Sequence, residues 1–232
     1  MSNDSSARMQ KEPRDFGYSI LKGVLSHPEC DLIARSVENA SSFGRAGARN
    51  LMSNPVIANL AFDSRLLEIA AESLGSNAIP FRATLFEKSP AANWHVLWHQ
   101  DRALPMSQRF DSCEWGPWTT KAGVLYALAP PWALKTVLAL RVHLDASTPS
   151  NGPLQVIPNS HEAGILSPGA IKRLTSTRAA ETCTVGRGGI LVMRPLLLHS
   201  STKAVCDDPR RVIHIEYAER LDFGTGLRLG VA

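Results

Sequence analysis

The residues of this sequence that are best suited to chemistry are His99 and Asp101, which flank Gln100. Side chains alternate faces along an extended strand, so His99 and Asp101 are predicted to point the same way while Gln100 points away. An imidazole nitrogen and a carboxylate oxygen at this spacing suit one metal ion. A second histidine would complete the set that holds non-haem Fe(II) and leaves three positions open. Alone, the triplet fits a surface strand end equally well.

Composition restricts the class of protein. The 232 residues, 44% of them hydrophobic, can bury a full core, and one β-rich domain is favoured over two small ones. The net charge of +4 is modest and the basic residues are scattered, so no nucleic-acid partner is predicted. The sequence contains no signal peptide and no run of transmembrane length, which predicts a cytoplasmic protein without a membrane partner.

Cysteine usage agrees with a reducing compartment. The four cysteines lie far apart and form no C-x-x-C pair, which argues against a zinc site and against a disulfide scaffold. We predict that all four are free thiols, namely Cys30, Cys113, Cys183 and Cys206.

Helices are predicted to precede a series of strands. Residues 1–14 are polar and are predicted to form a flexible N-terminus, with residues 15–232 as a single domain. Ser26 and Glu29 have the spacing of a capping box, which predicts a helix to about residue 40. Further helices are predicted at 55–62, 64–74 and 168–174, and strands at 17–25, 78–87, 136–145, 154–157, 190–193, 196–200 and 210–218. This order is typical of a mainly β fold with flanking helices, a double-stranded β-helix of the jelly-roll, cupin-like type.

Residues 102–122 have no sustained hydrophobic period. A loop of this length inside a compact domain is usually functional, so we predict a lid over the site. Trp115, Trp118 and Tyr126 could line a substrate entrance, although buried aromatic residues need no function to explain them.

Three segments, taken in order, resemble a known family. They are Trp98-His99-Gln100-Asp101, the run Asn151-Gly152-Pro153-Leu154-Gln155-Val156-Ile157-Pro158-Asn159-Ser160-His161, and Leu196 to Ser200 followed by Pro209-Arg210-Arg211. From about residue 16 to 219 the chain resembles the phytanoyl-CoA dioxygenase-like family of Fe(II)- and 2-oxoglutarate-dependent dioxygenases. Asn159 stands where that family usually has glycine. Because Asn tolerates left-handed backbone angles, the turn is expected to survive.

The resemblance implies that His99, Asp101 and His199 are the catalytic metal ligands. It also implies that an arginine eleven residues after the distal histidine, here Arg210, holds the far carboxylate of 2-oxoglutarate. A guanidinium binds a carboxylate through two parallel charge-assisted hydrogen bonds, which fixes its direction. Arg211 points to the opposite strand face and is the alternative.

Other candidates are less specific. Lys88 is either near the co-substrate or a solvated lysine after a strand. Gln155 and Arg141 lie on strands expected to line the barrel, and each either contacts the co-substrate or the substrate or points outward. The remaining histidines of the strand region that we interpret as structural are His143, His161 and His214.

The implied reaction uses Fe(II), 2-oxoglutarate and dioxygen, releases succinate and CO2, and oxidises a small molecule. Related halogenases have a small residue in place of the carboxylate, so Asp101 favours hydroxylation. Arginines at 82, 102, 109 and 141 favour an anionic substrate. The alternatives are a cupin-like metal- and ligand-binding protein without turnover and a zinc hydrolase, which would not need Arg210. The sequence does not indicate the substrate or the oligomeric state.

Overall fold

A computed structural model describes residues 16–38, 47–90, 92–224 and 226–232 of the protein; the predicted flexible terminus lies outside them. The α-helices are α1 His27–Val37, α2 Pro55–Ala61, α3 Ser64–Leu74, α4 Pro131–Lys135 and α5 Pro168–Thr177. The strands are β1 Tyr18–Leu21, β2 Gly47–Ala48, β3 Ile79–Lys88, β4 Val96–His99, β5 Ala103–Met106, β6 Trp118–Lys121, β7 Val124–Leu128, β8 Val137–His143, β9 Leu154–Val156, β10 Glu181–Cys183, β11 Ile190–Met193, β12 His199–Ser201 and β13 Arg210–Ala218. Short 3-10 turns lie at Leu51–Ser53 and Ser160–Ala163.

Helix ends follow the local signals of the sequence. The capping box of α1 is confirmed, because the Ser26 side chain accepts from the Glu29 backbone N–H while the Ser26 N–H donates to the Glu29 carboxylate at 2.7 Å. Helix α1 ends at Val37, and the end predicted near residue 40 lies outside the described residues. Helix α3 stops at Gly75, whose φ of 87° suits glycine. Helix α4 was not predicted, since five residues are too few to establish a helical period.

The largest sheet has the strand order β1-β11-β8-β13-β3-β2. The face that we call the outer face packs against α1, α2 and α3, and its side chains are apolar and fully buried, as Leu140, Ile213 and Ile215 illustrate. This contact buries the main hydrophobic core of the protein. The other side of the sheet, which we call the inner face, turns toward a second sheet.

The second sheet has the order β10-β9-β12-β4. Leu191 and Met193 of the large sheet share a buried cluster with Val156 and Cys183 of the small one, so the two sheets enclose a common interior. Short antiparallel strands arranged in two facing sheets form a double-stranded β-helix, and the predicted jelly-roll class is confirmed.

The segment predicted as an irregular lid contains two strands. β5 and β6 pair with β7 in a third sheet of order β5-β7-β6. Its edge is tied to the end of the chain, where Ser107 N–H donates to the Arg228 carbonyl at 3.0 Å and Gly230 N–H donates to the Pro105 carbonyl at 2.9 Å. The expectation of an irregular loop is therefore wrong for these strands, each of which is too short to display a period.

All four cysteines are free, with Cys30 and Cys183 buried, Cys206 partly buried and Cys113 exposed, as predicted. Within the described part of the chain, no helix combines the length and apolar content that crossing a membrane requires.

Candidate active site

The His-x-Asp triplet meets the distal histidine because β4 and β12 are neighbours. His99 is paired with His199 in the ladder, and their ring centroids are 4.2 Å apart. Asp101 lies just beyond β4, where its N–H donates to the Pro195 carbonyl at 2.9 Å. One nitrogen or oxygen atom of each of the three side chains lies within 4.8 Å of the others. The arrangement could hold a single metal ion.

Backbone carbonyls orient both imidazole rings. Nδ1 of His99 is 2.8 Å from the Leu97 carbonyl, and Nδ1 of His199 is 2.8 Å from the Leu197 carbonyl. Since a carbonyl only accepts, each Nδ1 carries a proton, so that in the neutral ring Nε2 is the nitrogen with the lone pair. These Nε2 atoms lie 3.7 and 3.6 Å from the Asp101 carboxylate oxygens. A hydrogen bond on the far nitrogen is the usual device that orients a metal-binding histidine.

Asp101 and His199 are held in the protonation states that metal binding needs. Burial lowers the pKa of His199 to about 4, and the opposing attraction of Asp101 does not cancel this. Burial would raise the pKa of Asp101, but His199, His214, His99 and Arg82 outweigh it and hold that pKa well below its usual value. At neutral pH the site therefore offers an ionised carboxylate and a neutral imidazole at His199.

Gln100 points away from the triad, as the alternation predicts. Its side-chain N–H groups donate to the carbonyls of Leu196 at 2.7 Å and Gly164 at 2.8 Å, and its oxygen accepts from the Leu166 N–H at 2.9 Å. Gln100 thus ties the end of β4 to the segment that leads into β12.

The turn at Pro158–His161 supports the distal histidine. Asn159 adopts φ 63°, which confirms that this turn survives without glycine. The Ser160 hydroxyl then accepts from the Leu198 N–H at 2.8 Å, directly before His199. The turn that follows the Asn-Gly-Pro run therefore helps to position β12.

The inner face of the large sheet carries polar side chains at alternate positions on three strands. Strand pairing places the following residues on that face: Arg82, Thr84 and Lys88 of β3, Arg141 and His143 of β8, and Arg210, His214 and Glu216 of β13. Several of their buried atoms have no hydrogen-bond partner among the described residues: Thr84 Oγ1, Arg141 Nε, both ring nitrogens of His143, and Arg210 Nε and Nη1. Buried polar atoms are normally paired, so this wall has the character of a ligand-binding surface.

Arg210 and Lys88 form one end of the inner face. They are paired in the ladder and are 3% and 1% exposed. Lys88 Nζ donates to the Ser201 hydroxyl at 2.7 Å and also contacts the Thr202 carbonyl. Burial lowers the pKa of Arg210 to about 9 and that of Lys88 to about 8, with Arg210 adding to the latter shift. Lys88 is therefore not a solvated lysine, and the pair suits an anion.

Gly152 makes room for this corner. It has φ 70°, and a Cβ atom there would stand 2.6 Å from the Thr202 carbonyl and 2.9 Å from Lys88 Nζ. The glycine of the Asn-Gly-Pro run therefore lets Lys88 approach β12 closely.

Arg211 occupies the opposite face of β13. Its Nε and Nη2 donate to the two carboxylate oxygens of Asp145 at 2.8 and 2.9 Å. The Arg210 side chain therefore points into the barrel, whereas Arg211 forms an ion pair with Asp145 outside it.

Arg141 on the large sheet and Tyr126 on the third sheet lie beside His214 and Arg82. Arg141 Nη1 is 3.1 Å from His214 Nδ1, and Arg141 is 5% exposed. The Tyr126 ring lies 5.3 Å from the guanidinium of Arg82, which is itself 2.9 Å from a Glu216 carboxylate oxygen. Both residues are thus near groups that affect the pKa of Asp101.

Two expected site residues lie elsewhere. Gln155 is paired with Ser200 and Thr182, which places it on the face of β9 opposite to that of His199 and argues against co-substrate binding. Trp118 and Tyr126 lie on opposite faces of the third sheet. The Trp118 ring packs edge-on against Phe110, with the ring centroids 5.1 Å apart. One aromatic entrance formed by Trp118 and Tyr126 is therefore not present, because successive strand residues point to opposite sides.

Sequence reasoning missed several inner-face residues. Thr84 and Glu216 were not singled out for the site, Arg82 was named only among four arginines that favour an anionic substrate, and His143 and His214 were interpreted as structural. The signal was that the polar residues of β13 and β3 recur at even spacing on one face, interrupted there only by the paired Val212 and Phe86.

Family comparison agrees with this geometry. The sequence model of the family described as phytanoyl-CoA dioxygenase (PhyH) matches residues 14–212. The chain belongs to the phytanoyl-CoA dioxygenase family.

One relative with a described activity matches part of the chain. Ectoine dioxygenase of Sphingopyxis alaskensis is 32% identical over 108 residues, which are 47% of this chain and 28% of that protein. The matched stretch thus spans less than a third of that enzyme.

Solved structures extend the likeness to the whole fold. EctD from S. alaskensis with 2-oxoglutarate and 5-hydroxyectoine has a TM-score of 0.69 at 22% identity, covering 96% of this chain and 80% of that chain. The non-haem α-ketoglutarate-dependent epimerase SnoN of nogalamycin biosynthesis has a TM-score of 0.66 at 18% identity, covering 90% and 80%. At these identities the likeness shows the fold.

Proposed function

We propose that this family member is an Fe(II)- and 2-oxoglutarate-dependent dioxygenase that hydroxylates a small-molecule metabolite and releases succinate and CO2. The observation that carries the proposal is the convergence of His99, Asp101 and His199 on one point, with Arg210 free to bind an anion inside the same barrel. We propose residues 15–232 as a single catalytic domain.

The donor set fits iron. Two neutral imidazole nitrogens and one carboxylate are the ligands of the facial non-haem Fe(II) site, which keeps three positions open. The Nε2 atoms of His99 and His199 face the Asp101 carboxylate at 3.7 and 3.6 Å, which is too far for a hydrogen bond. Iron(II) with 2-oxoglutarate and dioxygen would supply the oxidative decarboxylation and the oxidising equivalent for a C–H bond.

The chain's own residues bind and orient. Arg210, with Lys88 beside it, would hold the distal carboxylate of 2-oxoglutarate and so fix the direction of the co-substrate. His199, which is 3% exposed, keeps one side of the site from water. The carbonyls of Leu97 and Leu197 hold both imidazoles in the ligating tautomer.

Hydroxylation is the finer part of the proposal. It rests on the likeness to ectoine dioxygenase, whose structure was solved with a hydroxylated compound, and on the carboxylate of Asp101. SnoN, an epimerase of the same fold, makes C–H epimerisation the reaction to distinguish by product analysis.

The test is anaerobic titration of the apoprotein with Fe(II) and then 2-oxoglutarate, observing the weak visible charge-transfer band of a chelated keto acid. We expect a band in the wild type. Arg210→Gln should weaken 2-oxoglutarate binding by about 10- to 100-fold, the value of a charge-assisted pair. Arg211→Gln is the matched control, because its guanidinium engages Asp145 outside the barrel, and it should leave the titration unchanged.

Other results would change the assignment. Iron binding without a band would favour a metal- and ligand-binding protein without turnover. If Arg210→Gln and Arg211→Gln weaken 2-oxoglutarate binding equally, Arg210 does not hold the co-substrate as proposed. Tight zinc binding with hydrolytic turnover would support a hydrolase instead.

A further inference from the structure

Arg141 is a buried cation that makes no direct ion pair with a carboxylate of the described residues, although the Asp101 charge attracts it from a longer distance. It is 5% exposed, and within the described ranges its Nε has no hydrogen-bond partner and its one hydrogen bond joins Nη1 to His214 Nδ1 at 3.1 Å. Its guanidinium lies 5.1 Å from the centre of the Phe86 ring. No carboxylate of the described residues forms an ion pair with it. An unpaired charge in a protein interior is costly, so such a group usually serves a ligand.

Neighbouring groups do not neutralise Arg141. His214 must accept from the guanidinium at Nδ1, which places its proton on Nε2 and leaves the ring neutral toward Arg141. Burial, with Arg141 and Arg210 adding to it, lowers the pKa of His143 well below its usual value, so that ring is neutral too. Burial raises the pKa of the Cys183 thiol to about 12, so no thiolate is present at neutral pH.

The carboxylates of the interior are already engaged. Asp101 acts on Arg141 only at long range and is a metal ligand in the proposed function. Glu216 lies 2.9 Å from Arg82, and Glu181 accepts from the Tyr18 hydroxyl at 2.5 Å. The inner face of the large sheet thus carries Arg82, Lys88, Arg141 and Arg210 against one carboxylate, Glu216. Adding Fe(II) and the 2-oxoglutarate dianion leaves this excess of positive charge unchanged, because their charges cancel.

Arg141 and Arg210 are separate positions on this wall. Arg141 is paired with His214, four residues along β13 from Arg210, which is about 13 Å of strand. In the proposed function both carboxylates of 2-oxoglutarate have partners, the distal one at Arg210 and the keto-acid end at the metal. Arg141 then has no role in holding the co-substrate.

We propose that Arg141 is a second anion-binding residue of the barrel and that the substrate carries an oxyanionic group, a carboxylate or a phosphate, which Arg141 holds. This inference rests on the proposed function for its assignment of 2-oxoglutarate to Arg210. It assigns Arg141 to specificity for the substrate and adds a charge requirement to its chemical class.

The test separates the two anion sites by calorimetry. Protein saturated anaerobically with Fe(II) and 2-oxoglutarate is titrated with inorganic phosphate in one arm and acetate in the other, at constant ionic strength. We expect the wild type to bind at least one probe, and Arg141→Gln to weaken that binding by at least about tenfold, since it removes a charged hydrogen-bond donor. Arg141→Lys keeps the charge and should lose less, and Arg211→Gln should lose nothing. The arm that responds distinguishes a phosphate from a carboxylate.

Affinity for 2-oxoglutarate provides the second measurement. Arg141→Gln should leave its Kd within about threefold of wild type, whereas Arg210→Gln should raise it by about 10- to 100-fold. The proposal is overturned if Arg141→Gln weakens 2-oxoglutarate binding as Arg210→Gln does, if neither probe binds the wild type, or if both bind wild type and Arg141→Gln equally. Circular dichroism and melting temperature check that the Arg141 variants are folded.

Failure of the proposed function would be visible separately. If the wild type binds no 2-oxoglutarate, the same phosphate titration is made on apoprotein carrying Arg210→Gln, with and without Arg141→Gln. Loss of phosphate binding only in the double variant supports the anion site without the oxygenase. No difference between the two overturns it.

Discussion

The two faces of the large sheet are built for different tasks from the same strands. In β13, Ile213 and Ile215 are fully buried on the outer face and pack against the helices. Between and beside them, Arg210, His214 and Glu216 point to the inner face. A strand with period two can therefore serve stability on one side and ligand binding on the other.

The difference between the faces lies in how completely polar groups are paired. Outside the barrel, the Arg211 guanidinium donates hydrogen bonds to both carboxylate oxygens of Asp145. Inside it, Arg210 and Arg141 retain unpaired nitrogen atoms. Because buried, unpaired cations oppose folding, the apolar outer face must offset the cost of the inner face. This contrast predicts that inner-face changes alter ligand binding and outer-face changes alter stability.

The largest expected effect is on turnover, from Asp101→Ala. This change removes the one anionic ligand of the triad, and we expect a loss of about 1000-fold or more in 2-oxoglutarate consumption, since altering even the residues that support metal ligands costs about 10- to 100-fold. Iron content and succinate release are the measurements.

Asp145→Ala is the matched control for this prediction. It removes a carboxylate from the outer face, so it should lower the melting temperature through loss of the Arg211 pair while iron binding persists. Stoichiometric iron and normal turnover in Asp101→Ala would contradict the assignment of the metal site.

The next effect is on stability, from Leu140→Ala on the outer face. Leu140 is fully buried against the helices, and its truncation should lower the free energy of unfolding by about 2–5 kcal/mol in urea denaturation. Thr84→Val is the inner-face counterpart. Its hydroxyl has no partner, so the change should be neutral or slightly stabilising. If Thr84→Val costs as much as Leu140→Ala, the two faces do not divide the tasks as described.

Much of this organisation could be predicted from the sequence. The strands β11 and β13 and the helix α3 have the predicted bounds, because Gly188-Gly189, Pro209 and Gly75 mark their ends. The shared direction of His99 and Asp101 follows from strand alternation. The left-handed Asn159 follows from the tolerance of Asn for positive φ.

The rest depends on long-range pairing that no local pattern contains. That Gln155 turns outward is decided by its register with Ser200, and that Trp118 and Tyr126 separate is decided by the pairing of β6 with β7. The ion pair between Arg82 and Glu216 joins two residues that are 134 positions apart in the sequence. Register errors of one residue exchange the two faces, so the polar wall could be recognised only once the ladders were known.

The smallest expected effect is on pH dependence, from Lys88→Met at the Arg210 end of the inner face. Burial lowers the pKa of Lys88 from 10.5 to about 8, so below pH 8 the folded protein holds a proton at a cost that the unfolded chain does not bear. As pH rises from about 8 to 10.5, the folded state has released that proton while the unfolded chain still binds it, and the stability of wild type increases relative to Lys88→Met. We expect Lys88→Met to be more stable by roughly 3 kcal/mol at pH 7, with the difference vanishing by about pH 10.5.

Urea denaturation of both proteins at pH 7 to 10.5 measures this difference, and parallel curves would contradict a depressed pKa at Lys88. Saturating 2-oxoglutarate sharpens the test, because a carboxylate bound at Arg210 and Lys88 favours the protonated lysine and should remove the step. If the step persists with the co-substrate bound, Lys88 does not share the anion with Arg210, and Arg210 alone holds that end of the barrel.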